Sequence, residues 1–185
     1  MGYPKKHFWF FLGVWFLVII GCATSHKVQP GTVEVIKSKV DNSTHIHMEP
    51  AWLENTPIKL GLYRNSNMPE NDIVLTVLVK GYHIFMWKES LKFNIDRNVE
   101  VFTSIDKLEG ARTLEEIYGT DRYIFADQTS KRYLIDRSFL ERIINANEVY
   151  VRVDLQLGFK GGVFSKDGPT LARTGFKKFL ITISE

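Results

Sequence analysis

The side chains of this 185-residue chain that could do chemistry fall into a few groups. His45 and His47 lie two apart, so on a strand they leave the same face and could offer two nitrogens to zinc. A zinc site needs three or four ligands held by a second shell. No other His, Cys or carboxylate stands beside the pair at telling spacing, so both read as surface or interface histidines. Glu115 and Glu116 are adjacent and face different ways, a poor geometry for an acid and a base. Gly158, Lys160, Gly161 and Gly162 lack the order of a phosphate loop, in which four residues separate a glycine from Gly-Lys-Ser or Gly-Lys-Thr, and read as a glycine hairpin. No serine sits in a Gly-x-Ser-x-Gly elbow. The expectation is a noncatalytic protein with no metal and no cofactor.

One stretch is a candidate surface. From Tyr82 to Trp87 a strand would put Tyr82, Ile84 and Met86 on one face and His83, Phe85 and Trp87 on the other. Covered by a helix, the second face is core. Left open, it suits stacking on a sugar or docking of a partner protein.

Cys22, the one cysteine of the chain, has a different context. Lys5 and Lys6 precede an apolar run from Phe8 to Ile20, and Gly21 and Cys22 follow at once. Charged, apolar and small segments in that order make a signal peptide. At about 1.5 Å per residue the run spans roughly 20 Å, short of the ~30 Å bilayer core. Ile19, Ile20, Gly21 and Cys22 resemble the lipobox of bacterial lipoproteins. The resemblance implies cleavage before Cys22, a diacylglycerol thioether on its sulfur and acylation of the new amino group. Two or three chains make such an anchor durable, where one gives marginal binding.

This divides the chain into a signal at 1–21, a lipidated cysteine and tether at 22–31, and one globular domain at 32–185. Ala23 to Gly31 is short, polar and broken by Pro30, a composition that does not pack. By the same resemblance, Ala23 in place of an aspartate points to the outer membrane, facing the periplasm. Loss of Lys5 and Lys6 reduces the 24 basic side chains to 22 against 21 acidic ones, a formal charge of +1 that gives no reason to expect nucleic acid. With no second thiol the domain has no disulfide and must rely on its core.

The elements that would position any site are mostly extended. Thr32 to Val40, Thr44 to Met48 and Ile58 to Arg64 read as strands, the last with Ile58, Leu60 and Leu62 alternating with Lys59, Gly61 and Tyr63. Ile73 to Lys80 is apolar on both faces and belongs in the middle of a layered structure. Leu91 to Ile95 and Val99 to Thr103 form a hairpin about Asp96, Arg97 and Asn98. Lys107 to Lys131 has no sustained period and reads as a long excursion, with a helical turn at Leu114 to Ile117. Arg132 to Asp136 is extended, and Ser138 to Ala146 is a helix with a Ser138/Glu141 capping box. Val149 to Leu157 alternates cleanly, Gly158 to Gly162 surrounds a turn, and a last helix starts with Pro169 in its first turn.

The sum is an α+β, mainly β fold: an antiparallel sheet or sandwich of seven to eight strands with two short helices, one of them C-terminal. The functional expectation is an envelope lipoprotein that binds or supports another component. An enzyme with a dispersed site and a binder of glycan or small ligand remain as alternatives.

Overall fold

Period-two alternation sets the register from Val33 onward. In the computed structural model, which describes residues 28–81, 83–86, 88–106, 111–112, 128–164 and 167–185, ten strands and two helices are assigned. The strands are β1 (Val33–Lys37), β2 (Thr44–Trp52), β3 (Ile58–Asn65), β4 (Asp72–Lys80), β5 (Leu91–Ile95), β6 (Asn98–Phe102), β7 (Ala111–Arg112), β8 (Gln128–Asp136), β9 (Val149–Leu155) and β10 (Gly158–Val163). The helices are α1 (Arg137–Asn145) and α2 (Ala172–Thr182). The signal and Cys22, Tyr82, Trp87, the pair Glu115 and Glu116 and the helical turn at 114–117 lie outside the described residues.

Every strand pair is antiparallel. The larger sheet runs β1-β2-β3-β4-β8-β7 and the smaller β10-β9-β5-β6. β4 lies between β3 and β8, the central place its double apolar pattern demands. The inner face of the larger sheet carries Met48, Leu60, Leu62, Ile73, Leu75, Val77, Tyr133 and Ile135, and that of the smaller carries Leu91, Phe93, Val149, Val151 and Val153. One hydrophobic cluster joins the two faces. Isolated bridges between Glu54 and Val163 and between Ser104 and Tyr133 pin the sheets together at two corners.

The helices close the remaining gaps. α1 buries Phe139, Leu140, Ile143 and Ile144, and Phe139 meets Phe93 and Phe102 edge-on with ring centroids 5.1 and 4.7 Å apart. α2 lies along β2 and β3 and buries Phe176 and Phe179. It comes close because Gly175 carries no side chain: a Cβ there would stand 2.8 Å from Met48 Sδ and 3.1 Å from the Gly31 Cα. Gly31 itself has φ of 79°, a left-handed conformation suited to glycine, and donates to the Glu49 carbonyl at 3.0 Å. The chain therefore enters the domain through a clamp of two glycines.

Several local expectations are corrected. The N-cap of α1 is Asp136, whose Oδ1 accepts from the Phe139 amide at 2.6 Å; Ser138 donates to that same oxygen instead of capping. The last helix begins after Leu171, so Pro169 precedes it. Gly158 to Gly162 belong to β10, and the turn is the pair Gln156 and Leu157. β8 starts at Gln128, inside the stretch read as an excursion, and pairs with all of β4. Residues 83–86 are not a regular strand; a single bridge joins Phe85 to Leu155.

Gly175→Ala should destabilise the fold by about 1–3 kcal/mol, because Met48 can yield but the Gly31 backbone cannot. Urea unfolding checks this: a lower midpoint is expected, and an unchanged midpoint would show that the helix sits farther from the sheet.

Candidate functional site

His45 and His47 do project from the same face of β2, the outer face, but they do not converge on a common site. His47 Nε2 lies 3.5 Å from Glu49 Oε1, which contributes to holding that carboxyl below its ordinary range. His45 belongs to a hydrogen-bonded chain. Asp41 Oδ1 accepts from Ser43 Oγ at 2.7 Å, Ser43 Oγ meets His45 Nε2 at 2.8 Å, and His45 Nδ1 meets the Tyr63 hydroxyl at 2.8 Å. One proton assignment satisfies all of these: Ser43 donates to Asp41 and accepts from Nε2–H, and Tyr63 donates to Nδ1. A nucleophilic triad needs the histidine between serine and carboxylate, whereas here the serine is in the middle and is 2% exposed. The chain therefore braces the β1–β2 turn. Among the described residues no group of three His, Cys, Asp or Glu side chains is placed to hold a metal.

Residues 83–86 are gripped from β8 by side chains instead of a regular ladder. Thr129 Oγ1 donates to the Gly81 carbonyl and accepts from the His83 amide, each at 3.1 Å. Lys131 Nζ donates to the Met86 carbonyl at 2.9 Å and stands 5.8 Å from the Phe85 ring centre, and the Tyr133 hydroxyl meets Ser90 Oγ at 2.6 Å. These three residues follow at intervals of two on the inner face of β8. Burial pushes the Tyr133 phenol well above its ordinary range, so it stays neutral. On the other side, the Met86 amide donates to Asp154 and the Ile84 carbonyl accepts from Gln156. Phe85 is 1% exposed and is core, which removes it from the proposed docking surface. His83 is half-buried, with Nε2 3.0 Å from the Lys80 carbonyl. Among the described residues of the segment, the exposed apolar side chains are the opposite ones, Ile84 and Met86.

Arg64 is a candidate residue that no motif in the sequence singles out. It follows Ile58, Leu60 and Leu62 in phase on β3, so it continues the inner, apolar face. That interval of two was the available signal. At the end of the strand the core opens into a cavity of about 350 Å³ lined by Val35, Thr44, Ile46, Arg64, Ser66, Thr182, Ile183 and Glu185. Arg64 Nε is buried and has no hydrogen-bond partner, and among the described residues no carboxylate lies within ion-pair distance of this guanidinium. Val35, Ile46 and Ile183 supply apolar wall; Thr44, Ser66 and Thr182 supply hydroxyls. A planar five-donor cation beside apolar walls is an arrangement for binding an anionic group.

The outer face of the smaller sheet is the other polar cluster, and its charges satisfy one another. Asp154 accepts from Lys92 at 2.8 Å and from Arg152 at 2.6 Å, and Arg152 stacks 4.2 Å from the Phe159 ring centre. No family model, curated protein or solved structure matches the chain.

Hydrogen bonds from the Ser38 and Ser43 side chains, then from the Ser43 amide, hold the Asp41 carboxyl down at about 2. A depressed carboxyl stabilises the fold above its unfolded value of 3.8 and loses that effect as pH falls through 2. Protection factors of amides in the β1–β2 turn, with the intrinsic pH dependence of exchange removed, should therefore fall on acidification from pH 4 to pH 2, and Asp41→Asn should abolish that fall. Arg64→Leu should stabilise the fold by about 1 kcal/mol, since it extends the apolar face and removes an unpaired buried donor. Thermal unfolding reads this as a rise of about 2–4 °C; a fall would mean that Arg64 is part of the framework.

Proposed function

We propose that the chain is exported, lipid-anchored through Cys22, and built to bind another component of the bacterial envelope without transforming it. The observation that carries this reading is the placement of the Arg64 cavity relative to the point where the chain enters the domain. Gly31 packs against Ala51 and Gly175, beside one end of β2; Thr44, at the other end, lines the cavity. Across the bulge between Met48 and Ala51, the span from Ala51 to Thr44 matches the six steps from Leu60 to Ser66 on the partner strand, about 20 Å at 3.4 Å each. α2 runs the same way, from the Trp52–Leu171 bridge to Thr182 and Ile183 in the cavity wall.

A domain tethered at one end through residues 22–31 thus displays its binding cavity at the other, away from the lipid. The tether reaches at most about 35 Å when extended, so the domain stays near the membrane while the cavity opens outward. The lipobox resemblance supports the anchor, and Ala23 after it supports an outer-membrane location facing the periplasm. A guanidinium whose Nε has no hydrogen-bond partner, on the wall of a cavity with apolar side chains, supports the binding reading.

Cys22→Ala should abolish incorporation of labelled palmitate and release the protein from the membrane fraction; persistence of label would refute the anchor. A photo-crosslinking residue at Ser66, on the cavity rim, should give a reproducible envelope adduct that the same probe at Glu89 does not. Equal labelling from both positions would set the binding reading aside.

A further inference from the structure

We infer that the Arg64 cavity receives a small monocarboxylate with a compact, branched apolar body, an inference that rests on the reading of the domain as a binding module. Three observations select this class. The first is the cation: the Arg64 guanidinium offers a planar fork matched to a carboxylate, and Nε lacks a hydrogen-bond partner. Two neutral donors stand with it, since Ser66 Oγ accepts from the Thr44 amide at 3.0 Å and keeps its proton to donate, and the Thr44 hydroxyl lines the same space. Thr182 is already committed, its hydroxyl donating to the Lys178 carbonyl at 3.0 Å.

The second observation is the wall. Val35, Ile46 and Ile183 are branched aliphatic side chains, and about 350 Å³ holds a small organic acid and not a bare ion. The third is charge. Glu185 lies on the cavity wall, and Thr182 and Ile183 are the last turn and C-cap of α2, where unsatisfied carbonyls give a partial negative charge. One cation against a carboxylate and a helix C-terminus tolerates a single negative charge and disfavours a phosphate dianion.

The test is a titration of the full lipidated protein in detergent with isovalerate and its neutral isostere isovaleramide, read by saturation-transfer NMR, with inorganic phosphate added as a competitor of the isovalerate signal. Isovalerate should bind at least about tenfold more tightly than isovaleramide or phosphate, as one charge-assisted pair at Arg64 requires. Arg64→Gln should bring acid and amide to equal affinity, and Arg64→Lys, which keeps the charge and loses the fork, should retain part of the preference. Equal binding of acid and amide by the unaltered protein, no binding of isovalerate, or phosphate binding as strongly would each overturn the assignment. Because that comparison uses the unaltered protein, it does not depend on a variant folding. A specific adduct at Ser66 without isovalerate binding would refute the ligand class and leave the binding role standing.

Discussion

A charged group placed on the apolar face of a sheet must find a partner, reach water or give up its charge. Among the described side chains, Arg64 on β3 and Lys131 on β8 are such groups on the inner face of the larger sheet, and the rest of the architecture follows from how each is accommodated. Lys131 is 2% exposed and is met by a backbone carbonyl, that of Met86, from a segment that crosses between the sheets. Thr129 and Tyr133, two residues to either side, fasten the same segment at Gly81, His83 and Ser90. The cation thus helps to hold the crossing in place and to seal Phe85 into the core. Arg64 receives no such partner; the layers part around it, and a cavity lies where packing stops.

Most of the strands were legible because a half-buried strand writes its two faces into alternate residues. The pattern Val149, Val151, Val153 and Leu155 could place only one face inward, and all four are buried. The doubly apolar β4 had to be central, and it is. Alternation lost its meaning where an inward position held something polar. Thr129 and Lys131 break the apolar phase of β8, so from sequence alone four residues of this nine-residue strand resemble part of an excursion. Arg64 ended the apparent period of β3 for the same reason, and the candidate site went unread with it.

Local chemistry misled in a different way. Ser138 and Glu141 have the spacing of a capping box, but Asp136 is a stronger acceptor two residues earlier and takes the Phe139 amide first. The glycines of β10 looked like turn residues. In the fold the 161 and 162 positions lie against Tyr150 and against Thr56 and Leu53, and a Cβ at either would collide. Such requirements belong to long-range packing, and a single sequence does not display them.

An anchor through Cys22 would hold the domain at one end and leave the cavity open at the other, so the height of the cavity above the membrane is the decisive quantity. With the lipidated protein in vesicles, fluorescence transfer to headgroup dyes can be measured from a donor at Ser66 and from one at Lys80, which lies at the opposite end of the strands, next to Pro57. Markedly weaker transfer is expected from Ser66, consistent with a difference in height of about 20 Å or more. Equal transfer, or stronger transfer from Ser66, would place the cavity at the lipid surface and contradict its display toward a partner.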